Sequence, residues 1–137
     1  MKTKLLTLIL ISVLATTTMA EDKQTLLVKD PTGANPMQQA MLKQTLMMAA
    51  LKSDTYQPID EKSLLEAMAH GTDDGTIIDL ILVSEITEAD GEAMLSAKIL
   101  EAGSASVLVT KMEIIELKEP SKLQKQFAEF AEKLFKQ

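Results

Sequence analysis

Residues 77–118, IIDLILVSEITEADGEAMLSAKILEAGSASVLVTKMEIIELK, decide the fold of this chain. Two tight-turn signals, Asp90-Gly91 and Gly103-Ser104, divide the stretch into three runs rich in apolar residues. Runs of this length joined by such short turns are typical of consecutive β-hairpins, so we expect an antiparallel meander. Its three strands are predicted at residues 77–87, 92–102 and 105–118.

The three predicted strands differ in how their side chains alternate. The first is apolar on both alternations at its centre, which is typical of a strand buried on both faces. The second alternates strictly: Ala93 begins an apolar face, whereas Ser96 and Lys98 lie on the opposite, polar face. The alternation of the third is interrupted at residues 110–113, which predicts a β-bulge there.

The segment before the meander predicts two strand–helix pairs. Asn35 is a suitable N-cap with Pro36 at the first helical position, and Asp60 is a suitable N-cap for a second helix. The predicted elements are a strand at 25–29, a helix at 37–52, a short extended piece at 56–59 and a helix at 61–69. The side chains expected to face inward are Met41, Leu42, Thr45, Leu46, Met48, Ala49 and Leu51 in the first helix, and Leu64, Leu65 and Met68 in the second.

A last helix is predicted after Pro120. An apolar stripe at helical spacing covers one side of it, and we expect this stripe to pack on the protein's own sheet rather than on a membrane or a partner. The stripe consists of Leu123, Phe127, Phe130, Ala131 and Leu134. The whole chain thus predicts an α+β fold of order β-α-β-α-β-β-β-α, with helices packed on a mixed sheet of about five strands.

The first twenty residues, MKTKLLTLILISVLATTTMA, are organised as a secretory signal. Lys2 and Lys4 provide positive charge, residues 5–15 are apolar, and Thr18-Met19-Ala20 is a small-residue exit. A run of about eleven apolar residues is short of the roughly twenty that a membrane-spanning helix needs, so we predict cleavage rather than an uncleaved anchor. The remainder, residues 21–137, is predicted to be one periplasmic domain with no stable membrane anchor.

The composition weighs against several classes of function. Its 14 basic residues are all lysine, and against 20 acidic residues they leave a net charge of −6, which becomes −8 once Lys2 and Lys4 are removed. An acidic chain without arginine is poorly suited to nucleic acid or to an anionic membrane surface. The chain also has no cysteine, which excludes disulfides, thiol catalysis, zinc–thiolate sites and an acylated N-terminal cysteine.

Three stretches resemble a group of bacterial envelope domains. Residues 78–86, IDLILVSEI, are similar to a strand read as a-D-y-v-l-x-G-s-i in the group, with Ser84 at the usual glycine position. Residues 93–108 and 54–65 follow the group's next strands and an upstream strand–helix unit. The group includes CsgG, the LpoB-type activators of penicillin-binding proteins, FlgO and the N-terminal domain of TolB. The resemblance implies an α+β binding scaffold that is not an enzyme through this domain.

The methionines raise one alternative function. Met41 and Met48 lie near one face of the predicted first helix, and with His70 they predict a periplasmic copper-binding protein, because thioethers favour Cu(I). The competing interpretation, which we favour, is that the methionines fill the core beneath the helix. His70, Asp73 and Asp74 form a second candidate for a bound ion, but they lack the ligand spacing of a calcium loop and a solvated turn is the expectation.

No enzyme motif is present in the sequence. It contains a single histidine, no G-x-S-x-G, no G-x-G-x-x-G and no Walker-type loop. We therefore predict a non-enzymatic periplasmic protein without a cofactor, which acts in envelope assembly or regulation by binding another envelope protein. Its partner-binding residues are predicted on the polar side of the meander, at Ser96, Lys98 and Thr110. The sequence predicts neither the identity of the partner nor an oligomeric state.

Overall fold

The computed structural model describes residues 23–71 and 77–136. The α+β class and the order of elements are confirmed. The elements are β1 (Gln24–Val28), α1 (Pro36–Lys52), β2 (Tyr56–Asp60), α2 (Glu61–Ala69), β3 (Leu80–Ala89), β4 (Glu92–Glu101), β5 (Val107–Glu116), a 3₁₀ turn (Pro120–Lys122) and α3 (Leu123–Phe135).

The five strands form one mixed sheet in the order β2-β1-β3-β4-β5. β1 is parallel to both of its neighbours, because β1–α1–β2 and β2–α2–β3 each return the chain to the same end of the sheet through a helix. β3, β4 and β5 are antiparallel, as the short turns between them require. The sheet therefore has a parallel half and a meander half that share β3.

Both predicted caps are confirmed. The side chain of Asn35 accepts a hydrogen bond from the backbone nitrogen of Gln38 at 2.8 Å, and Pro36 occupies the first helical position of α1. The side chain of Asp60 accepts from the backbone nitrogen of Ser63 at 2.7 Å. Each of these side chains accepts a hydrogen bond from a backbone N–H group that has no partner within the first turn of the helix.

The core lies on one side of the sheet, beneath α1 and α3. The predicted apolar stripe of α3 is confirmed, since all five of its residues are buried. From the sheet, alternate residues of β1, β3 and β4 point into the same cluster. The buried sheet residues are Leu26, Val28, Leu80, Leu82, Ser84, Ile86, Ala93, Leu95, Ala97, Ile99 and Ile115. We call this the covered side of the sheet and the opposite one the open side.

The inward faces predicted for α1 and α2 are partly wrong. α1 buries Leu42, Leu46 and Ala50, whereas Met48 is 53% exposed and Leu51 is exposed as well. The buried line of α1 is thus rotated toward Leu46 and Ala50, which lets α1 meet both the sheet and α3. In α2, the predicted inward residues Leu65 and Met68 are exposed. α2 packs against β2, an edge strand, which offers it little surface to cover.

The meander differs from prediction in two respects. The bulge is not at residues 110–113, where β4 and β5 pair without interruption. The register shifts instead where Ile99 pairs with Val109 but Leu100 pairs with Val107, which leaves Leu108 as the extra residue. In β3, only one alternation is fully buried, since Ile81 and Val83 are half-buried on the open side. Residues 77–79 precede the strand, and Ile77 is exposed.

Gly33 fixes the path of the chain between β1 and α1. Its φ is +82°, and a Cβ placed there would lie 2.1 Å from the carbonyl oxygen of Ile86 in β3. The preceding Thr32 bridges to β3, donating to the carbonyl of Ser84 at 3.1 Å and accepting from the amide of Ile86 at 2.8 Å. Only glycine fits a left-handed conformation at such close approach.

Candidate functional site

At residues 111–114, the edge strand β5 reverses the alternation that the middle of its neighbour β4 follows. In β4, Ala93, Leu95, Ala97 and Ile99 face the covered side, whereas Met94, Ser96, Lys98 and Leu100 face the open side. In β5 the register places Lys111 and Glu113 on the covered side, opposite Ala97 and Leu95. Met112 and Ile114 point to the open side, where they are 56% and 67% exposed. A strand that served only the core would show the opposite arrangement.

Open-side residues of β4 and β5 lie next to one another across the two strands. Met94 is the register partner of Ile114, Ser96 of Met112, and Lys98 of Thr110. These six residues, which we call the meander face, combine an apolar row with a polar corner. Exposed apolar side chains in contact with one another mark binding surfaces more often than isolated ones do.

On the covered side, Glu113 of β5 is held by α3. Lys133 of α3 contacts Glu113 with its Nζ atom 3.0 Å from Oε1. The second carboxylate oxygen, Oε2, is buried and has no hydrogen-bond partner among the residues that the structure describes. A buried carboxylate oxygen without a partner is costly, so Glu113 has the capacity to accept a further hydrogen bond or ion pair at this position.

The backbone edge of β5 is closed at one end. The side chain of Gln126 accepts from the amide of Glu116 at 3.0 Å and donates to its carbonyl at 3.0 Å. The amide of Leu117 donates to the carbonyl of Gly91, on the β4 side of the strand, and the backbone groups of successive residues alternate in direction along a β-strand. The amides and carbonyls of Thr110, Met112 and Ile114 therefore point away from β4. They lie at the edge of the sheet, where no strand of the described residues pairs with β5.

The structure brings together the three partner-binding residues predicted from sequence. Ser96, Lys98 and Thr110 all lie on the meander face, with Lys98 directly opposite Thr110. Sequence reasoning missed the apolar members, Met94, Met112 and Ile114. The sequence signal for Met112 and Ile114 is the interrupted alternation at residues 110–113, which predicts a bulge but instead reflects a reversal of the apolar and polar faces.

The copper-site residues are distributed over two helices. Met41 is half-buried against the core, and Met48 lines a groove of about 530 Å³ between α1 and α3 together with Lys52, Glu132 and Phe135. His70 is the exposed C-terminal cap of α2 and is not among the described residues that line this groove. The copper site stays a prediction, and Asp73 and Asp74 lie outside the described residues.

A cluster of charged side chains lies where β1 and β2 end. Lys43 of α1 places its Nζ atom 2.6 Å from Asp30 and 3.6 Å from Asp60. The hydrogen bond to Asp30 raises the pKa of Lys43 against the effect of partial burial, with further help from the charges of both aspartates. Hydrogen bonds from Ser63 lower the pKa of Asp60, and Lys43 adds to that shift. Every member of this cluster is explained by helix capping and pairing.

Residues 23–71 and 77–136 offer neither a membrane span nor a ready metal site. None of the helices there is both long enough and apolar enough to cross a membrane. The same residues contain no group of three or more histidine, aspartate or glutamate side chains placed to hold a metal ion. The predicted signal segment, residues 1–20, lies outside the described residues.

Comparison with known proteins establishes the fold. No protein-family model matches the sequence, and no curated protein matches it either. Solved structures do match. A dodecamer of a single-substitution variant of PelC from Paraburkholderia phytofirmans is similar, with a TM-score of 0.54 and 7% identity over 82% of this chain and 85% of that one.

Two further structures belong to the group that the sequence resembles. TolB from Acinetobacter baumannii matches with a TM-score of 0.51 and 8% identity over 77% of this chain and 26% of TolB. The C-terminal domain of LpoB from Escherichia coli matches with a TM-score of 0.50 and 12% identity over 68% of this chain and 82% of that domain. The resemblance to LpoB and TolB is thus confirmed as a shared fold.

Proposed function

We propose that this protein is exported and acts in the bacterial cell envelope as a non-enzymatic binding domain whose meander face contacts another envelope protein. The observation that carries the proposal is the reversed alternation of β5, which exposes Met112 and Ile114 while Lys111 and Glu113 face the helices. Folding alone gives no reason for this arrangement, because exchanging the two rows would bury more apolar area.

Three further observations support the proposal. Residues 1–20 have the organisation of a secretory signal. The fold is shared with LpoB and TolB, and the PelC structure is described as a dodecamer, so this scaffold is compatible with assembly into larger complexes. The polar corner of Ser96, Lys98 and Thr110 provides hydrogen-bonding groups beside the apolar row, as interfaces usually do.

The proposal is tested by photo-crosslinking in cells. A photoreactive amino acid replaces Met112 in one version of the full-length chain and Lys125, an exposed residue of α3 outside the groove between α1 and α3, in the control. We expect one dominant crosslinked envelope protein other than this chain from position 112 and none from position 125. The crosslink should disappear when Ile114→Lys is added, because a charge on the neighbouring apolar residue opposes burial. Equal products from both positions, or none from position 112, would contradict the proposal.

A further inference from the structure

We propose that the free edge of β5 pairs with β5 of a second copy of this chain, antiparallel about a two-fold axis at Met112. This inference rests on the proposed function only in placing an interface on the same strand. It concerns the backbone edge of β5 and the side chains that flank this edge, whereas an envelope partner would lie on the open side, against the meander face.

The backbone limits which residues can pair. Thr110, Met112 and Ile114 direct their amides and carbonyls outward, and Gln126 already satisfies those of Glu116. If two copies pair in antiparallel fashion, each outward-pointing residue of 110–114 must therefore lie opposite an outward-pointing residue of the other copy. Three axes use at least two of these outward residues on each copy: they pass through Lys111, Met112 or Glu113.

Charge selects one of the three axes. An axis at Lys111 sets two ammonium groups opposite each other, and an axis at Glu113 sets two carboxylates opposite each other. An axis at Met112 instead places Lys111 opposite the partner's Glu113, and Glu113 opposite the partner's Lys111. Opposite charges directly across a sheet are favourable and like charges are unfavourable. The sequence around Met112 is thus self-complementary.

The chosen axis also supplies groups that the single chain lacks. It brings an ammonium group opposite Glu113, whose Oε2 has no hydrogen-bond partner among the described residues. Lys111 and Glu113 would form a non-hydrogen-bonded pair, the closer of the two antiparallel arrangements. On the open side, Met112 would meet the partner's Met112, and Thr110 would meet the partner's Ile114. Both exposed apolar residues of β5 would then have a neighbour.

The register can be tested with single cysteines, because the chain has none of its own. On the axis, the Cα atoms of the two Met112 residues would be about 5.5 Å apart, within the range for a disulfide. We expect Met112→Cys to oxidise to a dimer of twice the chain's mass. Ile114→Cys is the matched control: its counterpart would be more than about 10 Å away along the strand, so it should form no disulfide-linked dimer.

Charge reversal provides the second test. Lys111→Glu and Glu113→Lys should each be monomeric in sedimentation equilibrium, whereas a mixture of the two should form a heterodimer with every charge paired. Lys133→Gln removes the contact within the chain but leaves β5 unchanged, so it should remain dimeric like the original protein.

Each outcome decides the inference. If Glu113→Lys does not fold, the cysteine variants still give the answer. A monomeric wild-type protein, or equal oxidation of the two cysteine variants, would overturn the self-pairing. A monomer that nevertheless crosslinks to one envelope protein from position 112 would overturn the self-pairing and support the proposed function.

Discussion

β4 and β5 are neighbouring strands of equal length, yet they divide their side chains in opposite ways. β4 buries Ala93, Leu95, Ala97 and Ile99 under the helices and leaves Ser96 and Lys98 on the open side, beside Met94 and Leu100. β5 buries Ile115 alone among its described residues, points Lys111 and Glu113 at the helices, and exposes Met112 and Ile114. Most of the sheet's contribution to the core next to this edge therefore comes from β4, and the composition of β5 is the one that the proposed contacts outside the chain would require.

The largest effect that follows from this comparison is on stability. Leu95→Ala removes a fully buried side chain beneath α1 and α3 and should lower the free energy of unfolding by about 2–5 kcal/mol. Met112→Ala, on the next strand, should change it by less than about 0.5 kcal/mol in dilute protein. Urea unfolding of both variants measures the difference. Similar losses would mean that β5 serves the core as β4 does.

Two glycines offer the same contrast between a closed and an open environment. Gly33 and Gly91 both have φ near +80°, but a Cβ on Gly91 meets nothing within 4 Å. Gly91→Ala should therefore cost about 1–2 kcal/mol from backbone strain alone. Gly33→Ala adds the contact with the carbonyl of Ile86 and should cost at least about 3 kcal/mol. Thermal unfolding compares the pair, and equal shifts would contradict the close approach of the loop to β3.

A change on the covered side should also be able to stabilise the fold. The hydroxyl of Ser84 is buried without a hydrogen-bond partner among the described residues. Ser84→Ala should raise the free energy of unfolding by about 1 kcal/mol, since it removes an unsatisfied polar group. Ser96→Ala, at a half-buried position on the open side, is the control and should be nearly neutral. A loss of stability at Ser84 would show that its hydroxyl has a role that the structure does not reveal.

The smallest effect concerns pH. Because the pKa of Asp60 is lowered in the folded state, its contribution to stability is complete above the usual carboxyl pKa and is lost as pH falls through the lowered value. Asp60→Asn keeps a capping oxygen but has no charge. Between about pH 5 and about pH 3, the free energy of unfolding of this variant should therefore fall less than that of the wild type, and the two losses should differ by about 1 kcal/mol or less. Parallel pH profiles from urea unfolding would contradict the assignment.

Local signals in the sequence predict much of the fold but less of the surface. The turns around β4, the caps Asn35 and Asp60 and the stripe of α3 depend on neighbouring residues, and the structure confirms them. The exposure of Met48 and Leu65 depends on what each helix packs against, which periodicity does not specify. Position in the sheet explains the remaining error: only the knowledge that β5 is an edge strand separates a reversed alternation from a bulge.

Hydrogen exchange along β5 tests the central claim most directly. At low and high concentration of the purified protein, exchange of individual backbone amides is measured by nuclear magnetic resonance. We predict that the amides of Thr110, Met112 and Ile114 exchange rapidly in dilute protein and become protected as concentration rises. Those of Lys111, Glu113 and Ile115, which point toward β4, should be protected throughout. Outward amides that exchange rapidly at every concentration would contradict the claim that a second copy completes this edge.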